Sequence, residues 1–158
     1  MRVESTAIEI ETSFERGMVD ITPQIGKVLR EREIEHGVLT LVSSSSSCGI
    51  LILENEPALI LGVGGLLGAV GSTATEIRKL ETEASRPAFA AALVGVTCSV
   101  PVAGGQLLIG HDRRIFLMEC AGPGFRKVLV HMTTTSAIDH TVLETESGRD
   151  IRAEESFR

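Results

Sequence analysis

The 158-residue chain is 43% hydrophobic with a formal charge of −6, enough for one sizeable core and too short for two comfortable ones. Acidic and basic residues are mixed along its length, no basic stripe is available for a phosphodiester backbone, and there is no Trp, no Tyr and only five Phe to stack on bases; nucleic acid is not expected as a partner. The first twenty residues lack the apolar core of a signal peptide, and no stretch suits a bilayer, so a cytoplasmic chain without membrane contact is expected.

From the N-terminus, Val3, Ile8 and Ile10 alternate with glutamates, as in a strand with one wet face. Gly17 breaks the run, and Met18 to Ile21 read as a returning strand. Thr22 before Pro23 marks a helix start, with Ile25, Val28 and Leu29 on one face and a stop at His36-Gly37. Val38 to Val42 is a buried strand with Ile50 to Leu53 as its neighbour, and between them lie five serines, Ser43 to Ser47, followed by Cys48 and Gly49. Small hydroxyl residues joining buried strands can satisfy one another and leave backbone N–H groups free to cradle an anion; a low-complexity loop is the alternative.

Pro57 to Gly71 is apolar and glycine-rich. It is shorter than the roughly 20 residues of a membrane span. It also fails as a dinucleotide loop, because Gly62 and Gly64 lack a small third residue at Leu67. A loosely helical or loop segment packing closely against another element, of this chain or of another subunit, is expected. Ser72 or Thr73 then starts a helix through Glu81, and Pro87 starts another helical piece. Beyond Val94 the pattern turns to strands: Val96 to Val102, a Gly104-Gly105 turn, Gln106 to Ile109, and a second pair formed by Ile115 to Cys120 and Lys127 to Met132. Residues 133 to 158 read as a polar tail.

Two segments together resemble the secondary thiamine-phosphate synthase (YjbQ-like, UPF0047-type) family of small α+β proteins. The first is Gly37 to Val42, the serine run, and Ile52-Leu53-Glu54-Asn55-Glu56-Pro57; it is similar to a family strand, a His-Thr-Thr/Ser-Ala-Ser stretch and a strand ending in Asn-Glu-Asn. The second is Leu93-Val94-Gly95, Val100-Pro101-Val102, Gly105 to Gly110 and the strand to Glu119, similar to a family hairpin preceding Thr-Trp-Gln. The resemblance spans residues 1 to 132. It implies thiamine-phosphate synthase activity, a homotrimer, and a strand-rich pseudo-barrel or sandwich with helices packed on it. In register, however, Ser45 stands at the family His, with Ser46 and Ser47 at its hydroxyl residues; Arg86, Pro87 and Ala88 replace its second histidine cluster, and His111-Asp112-Arg113 replaces Thr-Trp-Gln. A hydroxyl cannot replace imidazole as a base or metal ligand.

Other chemical groups are sparse. His111 to Arg114, with Glu119 and Arg126, form the densest polar group of the second half: Arg113 and Arg126 suit a phosphate or carboxylate, and His111 and Glu119 are weak catalytic candidates. The alternative is a solvated turn whose charges pair among themselves. Asp139 and His140 lack a Gly-x-Ser-x-Gly elbow, and His36, His111, His131 and His140 are too scattered for zinc. The three cysteines, Cys48, Cys98 and Cys120, read as buried free thiols. The expectation is a single α+β domain over residues 1 to 132, a homo-oligomer without metal or cofactor. It binds a small phosphorylated or anionic ligand through Ser45, Ser46, Ser47, Glu54, Asn55, Arg113 and Arg126, with an inactive oligomeric scaffold as the alternative.

Overall fold

The computed structural model describes residues 1–13, 17–76 and 85–135. Their elements run β1 (Arg2–Thr12), β2 (Gly17–Asp20), α1 (Thr22–Glu31), β3 (Gly37–Ser43), β4 (Cys48–Glu54), α2 (Pro57–Glu76), α3 (Ser85–Val94), β5 (Thr97–Ala103), β6 (Gln106–Leu107), β7 (Arg113–Glu119) and β8 (Gly124–Thr134). Pairing is antiparallel throughout, in a five-stranded sheet of order β1-β8-β3-β5-β6 and a three-stranded sheet of order β2-β7-β4. The result is a strand-rich α+β half-barrel with helices packed on it, as the resemblance implies.

The main core lies between the sheets, where Leu39, Leu41, Val100, Val128 and Val130 of the larger sheet meet Ile50, Ile115 and Leu117 of the smaller one. Helix α1 adds Ile25, Val28 and Leu29 to it. Ala90 and Ala91 of α3 cover the opposite face of the small sheet at Met118 and Cys120. Strand β7 is therefore buried on both faces from Ile115 onward, which is why it reads as a continuous apolar run and not an alternating one. Gly49 makes this layering possible, since a Cβ there would stand 2.4 Å from Val94 Cγ1. Helix α2 is less well covered, and Leu61 and Leu66 remain 76% and 65% exposed. No helix among the described residues is long and apolar enough to cross a membrane.

Several local expectations change. Strands adjacent in sequence switch sheets: β2 pairs with β7 and not with β1, β3 and β4 belong to different sheets, and so do β7 and β8. Thr22 is not a side-chain cap. The Asp20 carboxylate accepts the Thr22 N–H at 2.8 Å, and the Thr22 hydroxyl accepts the Ile115 N–H at 2.8 Å. Helix α1 stops at Glu31, five residues early, because Glu33 takes a left-handed φ of 53°. Its N–H and that of Ile34 return to the Arg30 and Leu29 carbonyls, a Schellman stop in which buried Ile34 docks on the core. Helix α2 is regular and continues past Ser72 to Glu76, overriding the glycine cost of about 1 kcal/mol per residue. Helix α3 begins at Ser85, so Pro87 falls in its first turn. The Gly104-Gly105 hairpin forms, with φ of 57° and 70°. Strand β8 runs to Thr134, two residues into the expected tail; residues 77–84, and 136–158 with Asp139 and His140, lie outside the described residues.

Candidate functional site

Strands β4 and β7 pair over their whole length, with Cys48 opposite Glu119 at one end and Glu54 opposite Arg113 at the other. Six residues at about 3.3 Å each separate these ends by about 20 Å. The residues expected to form one site are therefore divided. Ser45, Ser46, Ser47, Glu119 and Arg126 gather at the first end, and Glu54, Asn55, His111 and Arg113 at the second.

At the first end the Glu119 side chain is wholly inaccessible, and its carboxylate is saturated with donors. Oε1 accepts the N–H groups of Ala121 at 2.9 Å and Gly122 at 3.3 Å; Oε2 accepts Arg126 Nε at 2.5 Å and the Cys48 thiol at 3.4 Å. Thr12 Oγ1 stands 3.2 Å from Oε2 and 3.1 Å from the Gly124 carbonyl, donating to one of them while it accepts the Gly124 N–H at 3.1 Å. Arg126 also donates from Nη2 to the Gly122 carbonyl at 2.8 Å. Burial pushes the Glu119 carboxyl up, but hydrogen bonds from Arg126, from the Ala121 and Gly122 amides and from Cys48 outweigh it and hold it below its ordinary value. The bond to Glu119 raises Arg126 in turn. Burial, reinforced by the Glu119 charge, pushes the Cys48 thiol up despite a hydrogen bond from Ser45. Cys48 is thus a buried thiol donating to a carboxylate, the reverse of the electropositive setting that activates a thiol.

The serine run closes on itself beside this cluster. Ser43 N–H reaches the Val96 carbonyl and Ser44 N–H the Lys127 carbonyl; Ser45 N–H goes to Ser43 Oγ, Ser47 N–H to Ser45 Oγ, and Cys48 N–H to the Ser45 carbonyl. The Ser45 and Ser47 hydroxyls bond one another at 3.0 Å, and the Ser47 carbonyl accepts the Cys120 N–H. Five of the six amides from Ser43 to Cys48 are used internally, so the expected anion cradle is replaced by a tied corner that carries the chain from one sheet to the other. Ser46 is exposed at its tip.

The second end is open. His111 and Asp112 in the turn before β7 and Arg113 at its start are exposed, and the Asn55 N–H holds that turn by donating to the Asp112 carbonyl at 2.8 Å. Arg114 is occupied by the His111 and Arg113 carbonyls and by Asp20 at 3.9 Å. Arg113 points instead to a groove of about 400 Å³ whose walls include Ile52, Pro101, Leu108 and Ile109. His111 and Glu119, the two catalytic candidates, stand at opposite ends and cannot act on one atom. Among the described residues no three His, Cys, Asp or Glu side chains converge as a metal site requires. Thr12 and the groove wall at Ile52 were not foreseen; Thr12 lies 107 positions from Glu119, and no local pattern connects them.

The family model described as UPF0047 protein YjbQ-like matches residues 6–135. A UPF0047 protein of Methanothermobacter thermautotrophicus is 30% identical over 131 residues, 82% of this chain and 92% of the relative. One from Archaeoglobus fulgidus is 23% identical over 124 residues, covering 78% and 96%. Among solved structures, a YbjQ-like protein of unknown function from Sulfolobus solfataricus has a TM-score of 0.77 at 23% identity, covering 85% of this chain and 99% of its own. A hypothetical protein from Aeropyrum pernix has a TM-score of 0.73 at 18% identity, covering 84% and 99%.

Proposed function

This chain belongs to the UPF0047 YjbQ-like family, and from that premise we propose that it is a divergent, catalytically silent member: a cytoplasmic homo-oligomer that binds a small anionic ligand. One observation carries the reading. The cluster richest in chemical groups, Ser45, Ser47, Cys48, Glu119 and Arg126, is closed upon itself, and a carboxylate that already accepts this many donors is neither base nor acid at neutral pH. The imidazole that resemblance places at position 45 is a serine here, and the neighbouring Cys48 thiol is buried and donates to Glu119. The acceptor for an anion is then the open end, where Arg113 and Asn55 stand.

Assembly is supported by α2, on which Leu61 and Leu66 are exposed and, among the described residues, nothing would touch a Cβ at Gly62, Gly64 or Gly65. The trimer that the resemblance implies is the expected state. Purified protein assayed for thiamine-phosphate synthesis is expected to form no product above background, and cells lacking that enzyme are expected not to grow when supplied with this chain. Product or growth overturns the silent reading. Light scattering is expected to give three times the mass of the chain; a clean monomer overturns the assembly.

A further inference from the structure

The groove at the open end lies on the seam between the sheets. Ile52 comes from β4 and Arg113 from β7 of the small sheet, Ser99 and Pro101 from β5 of the large one, and Leu108 and Ile109 from the connection between them. Its volume of about 400 Å³ is within the range of small-molecule sites. The walls are mainly aliphatic, and Arg113 is the one charged residue among those that line it. Arg126, at the other end, is held by a carboxylate and a carbonyl, and Arg114 by two carbonyls and Asp20. Among the described residues the Arg113 guanidinium has neither a hydrogen bond nor an ion pair within 4 Å, so its donors are available to a bidentate acceptor.

Charge around the mouth limits which acceptor fits. Glu54 lies directly opposite Arg113 in the strand register, and Asp112 precedes it; both are exposed. One guanidinium beside two carboxylates leaves the mouth at a net charge of −1, so every negative charge a ligand brings is opposed there and a dianion is opposed more than a monoanion. Resting on the reading of the chain as an anion binder, we infer that this groove is a binding site for a small monocarboxylate with an apolar chain, its carboxylate on Arg113 and its chain along Ile52, Leu108 and Ile109. Glu54 is the selectivity residue that excludes dianions such as a phosphate monoester.

Isothermal titration of the full chain with butanoate, hexanoate, inorganic phosphate and thiamine monophosphate tests this. Hexanoate is expected to bind, and more tightly than butanoate by about fourfold for each methylene added. Arg113→Ala is expected to lose about tenfold or more in hexanoate affinity, as loss of a charge-assisted bond does, with an unchanged unfolding curve because the residue is exposed. Glu54→Gln is expected to tighten hexanoate binding about twofold and to admit phosphate. If phosphate or thiamine monophosphate binds through Arg113 and hexanoate does not, the monocarboxylate assignment is overturned while anion binding stands. Hexanoate binding that Arg113→Ala leaves unaltered overturns the placement in this groove. If no anion of the series binds, this inference and the ligand-binding part of the proposed function fall together.

Discussion

The β4–β7 ladder has a glutamate and an arginine at each end, the second arginine being Arg126 of the neighbouring β8, and the two ends have opposite fates. At Glu119 the carboxylate is wholly buried and Arg126 closes on it at 2.5 Å, with Thr12, Cys48 and two amides completing the shell. At Glu54 and Arg113 the same pair of residue types faces one another across the ladder in solvent, with no ion pair within 4 Å among the described residues. Desolvation makes the difference. A buried carboxylate must collect every donor within reach and becomes part of the fold, whereas an exposed pair keeps water as its partner and remains free to exchange it for a ligand. Polar density alone is therefore a poor guide to a site; what matters is which polar groups are left unsatisfied.

The contrast is broken most forcefully at the closed end. Glu119→Ala leaves Arg126 without its partner and is expected to cost about 3–5 kcal/mol, as removal of one member of a buried pair does, read from urea unfolding; a loss as small as that of a surface variant would show that the cluster does not support the fold. Gly49→Ala forces a methyl toward Val94 and is expected to cost about 1–3 kcal/mol, with part of the loss restored in a Gly49→Ala/Val94→Ala double variant. Equal stability of the single and double variants would contradict the packing argument.

Acid provides a third test. Glu119 is held below its ordinary value of 4.5, so the unfolded chain takes up the proton first as pH falls. The stability it contributes is complete above about 4.5 and is lost as pH drops through the lower, folded value. Thermal scans from pH 6 downward are expected to show that decline, and Glu119→Gln is expected to flatten it. The smallest effect belongs to the open end: Arg113→Ala and Glu54→Gln are expected to change stability by no more than about 0.5 kcal/mol, as exposed substitutions do, and a larger loss at either would mean that this end is structural too.

Much of the fold is legible in local pattern. The alternation of Val3, Ile8 and Ile10 marks β1, the apolar runs mark β3, β4 and β7, and Gly104-Gly105 marks its hairpin, because strand period and turn chemistry act over a few residues. Partnership is not local. Neighbouring strands suggest hairpins, yet the chain changes sheet at the serine run and again between β7 and β8. The stop of α1 escapes notice because Glu33, not a glycine, takes the left-handed turn. The serine run is visible as a special segment, but its role depends on carbonyls of Val96 and Lys127 and on the Cys120 amide, all remote in sequence. For the same reason Glu119 and Arg126 look like separate reactive groups in the sequence and are bonded to one another in the folded chain, while among the described residues Asp20 stands against Arg114 and no ion pair reaches Arg113.

The central claim is that the two ends divide the work, one holding the sheets together and the other receiving a ligand. Backbone amide chemical shifts recorded while hexanoate is added to the full chain test it most directly. The account predicts dose-dependent shifts confined to Ile52, Ser99 and the stretch from Leu108 to Arg113, with Ser43 to Cys48 and Glu119 to Arg126 unmoved. Shifts centred on the serine run and Arg126, with the Arg113 end silent, would contradict it.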